Sequence, residues 1–285
     1  GVLPATPAGQ IAITHTSFNI ITTLLLLPLG NYLAKAAVKI LPDRPEDKDE
    51  RMHLEYLTPI QTGSKESGLG VSAIQVDQLQ HELRRMMLMA QENVEASFRS
   101  VLDRNEDELS QVEETEEYID FLNREISLHI SHVIAYETNQ QASAVVSSFL
   151  TISGNIERIG DYGKKLLEYY AYRQNRPKDF SQQAMTELSG MYAEAHHAIV
   201  TALDGFINDD PDKAREVAPI AGKLRGLEVE LRNRHIQRLD KQECDSETGL
   251  VYVDILGIIE HIGYHSNNVA KATISSCTAE HKAKA

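Results

Sequence analysis

The chain has 285 residues and a formal net charge of −14. So acidic a surface repels polyphosphate backbones and excludes nucleic acid as an expected partner. Tryptophan is absent and aromatics are few, which suits long helices better than a β sandwich. The only cysteines, Cys244 and Cys277, show no metal-ligand spacing and point to a reducing compartment for the part that carries them.

The chain opens on Gly1 rather than Met and carries no charged side chain before Lys35. We expect the C-terminal part of a longer protein. The stretch from Ile11 to Ile40 is mostly Ile, Leu, Ala and Thr, with leucines at 24–27 and 29. A bilayer needs about 20 apolar residues, so residues 1–41 are expected to hold a membrane helix. Basic residues follow the run at Lys35, Lys39, Arg44, Lys48 and Arg51, which places the C-terminal side in the cytoplasm. His15, Thr16, Asn19 and Pro28 are polar or helix-breaking. Such residues need protein neighbours in hydrocarbon, so the expected partners are other membrane helices of the same protein.

Residues 42–77 read as a linker, with Pro42, Pro45, Gly63, Gly68 and Gly70 among mixed charges and no periodicity. Beyond them apolar residues recur at three- and four-residue steps. Helices are expected from near Gln78 to Asp103, Asp107 to Ile134 and Gln141 to Tyr172. A break at 175–179 contains Pro177. Ser181 then reads as an N-cap, and Asp210–Pro211 as a helix start.

The second half repeats the first. At an offset of 105, Leu83 meets Leu188, Met86 meets Met191, Val112 meets Val217, Leu122 meets Leu227 and Glu125 meets Glu230. After a two-residue shortening the offset is 103: Gly154 meets Gly257, Glu157 meets Glu260, and Ile159–Gly160 meets Ile262–Gly263. Glycine inside a helix costs about 1 kcal/mol against alanine. The matched glycines therefore suggest close helix approach, at Gly154 and Gly257 in particular. The expected fold is all-α: one membrane helix, then a tandem repeat of two three-helix bundles over 78–175 and 181–278.

Glu157 and Asp161 are four apart, so both carboxylates share one helical face. A solvated acidic edge and a cation site both fit that spacing. Glu194 and His197 have the spacing of a di-iron carboxylate motif, but the first unit has no matching pair, so His129, His132, His196 and His197 read as structural or surface residues. No nucleophile–base set, phosphate loop or zinc signature is visible, and an enzyme is not expected.

The segment Ile156–Lys165 resembles the Glu-x-x-x-Asp signature helix of phosphate-uptake regulator (PhoU) domains, and the run Glu116–Ile126 resembles their second helix. Ile13–Leu33 looks like the last membrane helix of bacterial sodium/phosphate cotransporters, some of which carry a PhoU-like tail. The resemblance implies the C-terminal portion of a sodium-dependent phosphate transporter in the bacterial inner membrane, with a cytoplasmic regulatory domain. The alternative is a membrane-tethered PhoU-type metal-binding signalling regulator. It also implies, as an open matter, a divalent or iron-type metal at the first unit, on Glu157, Asp161 and Asp120 of the preceding helix. The second unit keeps Glu260 but has Tyr264 for the Asp and Arg225 for Asp120, a degenerate site where an Arg225–Glu260 salt bridge is expected instead. In the complete transporter the implied partners are sodium and inorganic phosphate. Homo-oligomerisation stays open.

Overall fold

The computed structural model describes residues 7–26, 52–57, 73–103, 109–136, 139–174 and 180–284. All regular structure among them is helical. Contacts divide the chain into residues 1–52 and 53–285.

The N-terminal unit contributes α1, Pro7–Leu26. Asn19 Nδ2 lies 3.3 Å from His15 Nδ1 one turn away, and Phe18, Ile20 and Ile21 are exposed. No helix among the described residues is long and apolar enough to cross a membrane. The membrane helix expected within 1–41 extends beyond α1 into residues outside those described, so α1 alone does not carry it. Within α1, Gln10, Thr14, His15, Thr16, Ser17, Asn19, Thr22 and Thr23 interrupt the apolar residues. The remainder of the leucine run and the basic residues 35–51 lie outside the described residues.

The larger unit is a helical bundle. Its first three helices are α2 (Ala73–Asp103), α3 (Leu109–Tyr136) and α4 (Gln140–Gln174). The repeat supplies α5 (Gln182–Ile207), α6 (Pro211–Arg215), α7 (Val217–Asp240) and α8 (Ser246–Lys284). Ser181 caps α5 by accepting from the amide of Ala184 at 3.2 Å. Asp210 caps α6 through the amides of Asp212 and Lys213, with Pro211 in the first turn, where its missing N–H costs nothing. The middle helix of the second unit is thus broken: α6 ends at Glu216 before α7 begins.

Apolar stripes at helical spacing bury one continuous core. It runs from Leu79, Leu83 and Met86 through Ile119, Ile126, Ile156 and Ile159 to Leu188, Leu224, Ile255 and Ile262. The long α4 and α8 form the most extensive helix pair, with α2 and α3 packed on α4 and α5 and α7 packed on α8. At the α2–α5 contact Phe98 stacks on Tyr192 with ring centroids 3.9 Å apart.

The glycines depart from expectation in an instructive way. A Cβ added to Gly154 or Gly257 would meet nothing within 4 Å, so neither marks a close helix contact. The close approaches belong to the next matched pair. A Cβ on Gly160 would lie 3.1 Å from Ile119 Cδ1, and one on Gly263 would lie 2.3 Å from Leu224 Cδ1. Ile119 and Leu224 are themselves partners at the 105 offset. The same glycine faces the same apolar residue in both units, α3 against α4 and α7 against α8. The reason for the misreading is angular. At roughly 100° per residue, Gly154 stands about 200° around the helix from Ile156 and faces away from the core.

Candidate functional site: an acidic cluster between α3 and α4

Two helices set the site. On α3, Glu116 and Asp120 are one turn apart; on α4, Glu157 and Asp161 are one turn apart. The packing of Ile119 against Gly160 brings those faces together. One carboxylate oxygen from each of Glu116, Asp120 and Asp161 lies within 4.8 Å of the others. Glu116 is buried, Asp161 half-buried and Asp120 exposed. Two of the sequence candidates, Asp120 and Asp161, therefore come together. The third, Glu157, stays outside this set and leans on Arg158, whose Nε is 3.5 Å from its carboxylate.

Glu116 was not picked out from the sequence as a ligand. The signal was there: Glu116 and Asp120 share the four-residue spacing of Glu157 and Asp161. Lys164 joins the site as well. Its Nζ donates to Glu116 Oε2 at 2.7 Å, and Arg158 donates to Asp161 Oδ2 at 2.9 Å. These two cations offset part of the repulsion. What remains is visible in the acidities. Partial desolvation by the packed helices, then the charges of Glu116 and Asp161, raise the Asp120 carboxyl above its ordinary range even though the residue is exposed at its edge. Burial, then Asp161, raise Glu157 in the same direction. The raised Asp120 and Glu157 mark a local excess of negative charge that a cation would relieve.

The donor set fits a hard divalent ion in the first unit, since it offers several oxygens and no sulfur or imidazole. It does not fit in the second. The positions matched to Glu116, Asp120 and Asp161 are Ala221, Arg225 and Tyr264. The expected ion pair is present there instead, with Arg225 Nε 3.5 Å from Glu260 Oε1 and His261 Nδ1 3.7 Å from Glu260 Oε2. The Glu194-x-x-His197 spacing is not a ligand set either: Glu194 accepts from Lys223 at 2.5 Å, and the neighbouring His196 faces Glu95 at 4.0 Å.

Between the two units, α4 meets α8 along a polar seam. Tyr162 stacks on His261 with ring planes 2° apart and centroids 5.5 Å apart. Asn155 Oδ1 accepts from Asn268 Nδ2 at 3.1 Å and lies 2.9 Å from His265 Nδ1, which a neutral His265 would fill as a donor. Burial, then the neighbouring His261 and the Arg158 cation, pushes His265 down to about 4, so the ring is neutral at pH 7. A cavity of about 690 Å³ between α5, the end of α7 and the start of α8 is lined by Phe180, His235, Arg238, Cys244 and Tyr252.

Comparison with known proteins agrees with the duplication. The family model described as "PhoU domain" matches residues 83–170 and again 188–273, more than half of the chain. The two matches repeat the offsets of 105 and 103 read from the sequence. The chain is 25% identical over 197 residues to the phosphate-specific transport system accessory protein PhoU homolog 1 of Thermotoga maritima, covering 69% of this chain and 84% of that protein. It is 20% identical over 264 residues to the putative inorganic phosphate export protein YjbB of Escherichia coli, covering 92% of this chain. The chain spans 47% of that protein's length, about half. Among solved structures, the phosphate transport system regulatory protein PhoU from Streptococcus pneumoniae has a TM-score of 0.63 at 14% identity, covering 70% of this chain and 94% of that one. PhoU from Pseudomonas aeruginosa has a TM-score of 0.56 at 17% identity, covering 70% and 95%. These likenesses establish the fold of the bundle.

Proposed function

We propose that this chain, which belongs to the PhoU domain family, is the regulatory end of a membrane protein that moves inorganic phosphate, with sodium as the coupling ion. The observation that carries this reading is the reach of the likeness to the phosphate export protein: it takes in 92% of the chain, well beyond the two PhoU matches. In this reading the N-terminal residues belong with membrane helices of the same protein in the bacterial inner membrane, and the bundle lies on the cytoplasmic side. The bundle makes and breaks no covalent bonds. It alters flux.

The acidic cluster is the sensing element of this reading. Glu116, Asp120 and Asp161 would hold one divalent cation, with Lys164 releasing Glu116 as the cation arrives, and the ion would cancel the repulsion between α3 and α4. The second unit would contribute stability only.

The test is phosphate flux into proteoliposomes holding the complete membrane protein, with and without a sodium gradient and with and without residues 78–278. Sodium-dependent flux that changes when the bundle is removed is the expected result. Absence of phosphate flux would overturn the transporter reading, and flux indifferent to the bundle would overturn its regulatory role. A second reading, a PhoU-type regulator that acts without carrying a transport domain, is favoured by the coverage of 84% of the Thermotoga maritima protein. It predicts no flux from any membrane protein containing this chain.

A further inference from the structure

The buried carboxylate of Glu82 presents an asymmetry that the repeat makes interpretable. Its position on α2 matches Glu187 on α5 at the 105 offset, and both side chains are buried. In the second unit the bundle satisfies Glu187 from within. Arg238 on α7 donates to both oxygens at 3.0 and 2.9 Å, and Tyr252 on α8 donates its hydroxyl at 2.6 Å. In the first unit the positions matched to Arg238 and Tyr252 are Val133 and Phe149, which carry no donor. Arg85, one turn along α2, serves Glu82 Oε1. The other oxygen, Oε2, is served by two main-chain amides from outside the three helices: Glu55 N at 2.9 Å and Tyr56 N at 2.8 Å.

We propose that residues 53–57 are a detachable strap, that Glu82 is its latch, and that this contact fixes where the chain leaves the first unit toward its N-terminal part. The latch reads main chain rather than side chain, and further contacts hold the ends. Arg85 Nη2 donates to the His53 carbonyl at 2.8 Å and its Nη1 to the Tyr118 hydroxyl at 3.0 Å. The Tyr118 hydroxyl in turn lies 3.0 Å from the His53 carbonyl and accepts from His53 N at 3.2 Å. Leu57 is buried against the core.

Release costs less than these bonds suggest. Burying a carboxylate is tolerable only while donors reach it. When the strap lifts, the same movement that removes the two amides lets water reach Oε2, so the charge is never stranded dry. Glu187 has no such option, because its partners are parts of the bundle. The two units therefore hold the same carboxylate in a permanent form and a releasable one. Tyr118 stands on α3 between Glu116 and Asp120, so the latch shares a helix with the acidic cluster.

Hydrogen exchange on the intact chain, read for residues 53–57 and for the core of α4 across a denaturant series, tests this. In the wild type the strap should be protected yet open well before α4 does. Glu82→Gln replaces charge-assisted bonds with neutral ones and should speed strap exchange by about 10- to 100-fold. A second variant, V133R combined with F149Y, supplies the first unit with the internal donors of the second. It should release the strap while α4 stays protected. If Glu82→Gln does not fold, Tyr118→Phe removes the hydroxyl bonds to His53 without touching the carboxylate and should speed strap exchange a few-fold. Strap and α4 exchanging together at every denaturant concentration would overturn the proposal, as would strap exchange unchanged by Glu82→Gln or, in its place, by Tyr118→Phe.

Discussion

Replacing four helical glycines by alanine, one at a time, should give effects of opposite sign according to which face of the helix each occupies. Helix propensity alone favours alanine by about 1 kcal/mol at every one of them. At Gly154 and Gly257 a new Cβ meets nothing within 4 Å, so that gain is realised in full. For a domain of this size it corresponds to a midpoint rise of about 2–4 °C. At Gly160 the new methyl would sit 3.1 and 3.2 Å from Cδ1 and Cγ2 of Ile119, a buried β-branched side chain with little freedom to turn. At Gly263 it would sit 2.3 Å from Leu224 Cδ1. That methyl is the far end of a flexible side chain, but Leu224 is wholly buried and must displace neighbours to move. Overpacking of this kind costs about 1–3 kcal/mol, so after the propensity gain both variants should be destabilised by about 0–2 kcal/mol. Urea denaturation followed by circular dichroism, with the slope checked for constancy, gives the four values. If Gly154→Ala and Gly257→Ala prove as destabilising as the other two, the assignment of α3–α4 and α7–α8 contacts to Gly160 and Gly263 is wrong.

Asp120→Asn should raise stability modestly at pH 7, by about 0.5 kcal/mol after allowance for solvent screening. The raised Asp120 pKa means that this group's contribution is complete below the ordinary carboxylate range and is lost as pH rises through the folded value, so the gain should vanish in acid. Calorimetric titration with Mn²⁺ should show binding in the wild type, loss of it in Asp161→Asn, and none of that loss in Glu260→Gln; equal effects of the two variants would refute a site confined to the first unit. Glu187 runs the other way. Burial alone would raise it, but bonds from Arg238 and Tyr252 outweigh burial and depress it, so its contribution is present above the ordinary carboxylate pKa and fades as pH falls through the depressed value. Thermal melts between about pH 3 and 7 should therefore show a steeper acid loss for wild type than for Glu187→Gln, which itself is expected to cost about 3 kcal/mol at neutral pH. Arg225→Ala should cost no more than about 0.5 kcal/mol, because the 3.5 Å pair to Glu260 involves an arginine that is 70% exposed.

The parts of this architecture that local chemistry determines were legible in the sequence. Period places α2, α3 and α4 to within a few residues, and Ser181 and Asp210 cap α5 and α6 as their positions suggest; the five-residue start of α2 at 73–77 and the break between α6 and α7 were not legible. The offset of 105 is legible because duplication copies side-chain type as well as period. What was not legible depends on rotation and on distant main chain. The spacing of Glu116 and Asp120 is in the sequence, but their convergence on Asp161 follows only once Ile119 has seated against Gly160 and set the rotation of α3 on α4. Glycine identity announces a requirement but not the face on which it acts, which is how Gly154 came to stand for Gly160. The strap eluded inspection because its main bonds run from anonymous amides to a side chain 26 and 27 residues away. Leu54, Tyr56 and Leu57 were its only side-chain trace in a stretch otherwise marked by proline, glycine and charge.

The two units have solved the same electrostatic problem in two ways. Each keeps a buried or half-buried carboxylate near the start of its first helix and another on its third: Glu82 and Glu157, then Glu187 and Glu260. In the second unit an arginine of the same unit answers each one, Arg238 for Glu187 and Arg225 for Glu260. In the first unit the matched positions are Val133 and Asp120. Neither can answer a carboxylate, and Asp120 adds to the charge. Arg85 serves Glu82 and Arg158 serves Glu157; main-chain amides of residues 55 and 56 complete Glu82 from outside the three helices, and the cation proposed here would be held beside Glu157 by Glu116, Asp120 and Asp161. The Arg238 and Tyr252 bonds to Glu187 are part of the packed bundle, whereas the amides of residues 55 and 56 reach Glu82 from a segment outside the helices. If the strap and the cation act as proposed, the second unit holds its shape by itself and the first responds to what is bound, which is the division a regulator requires.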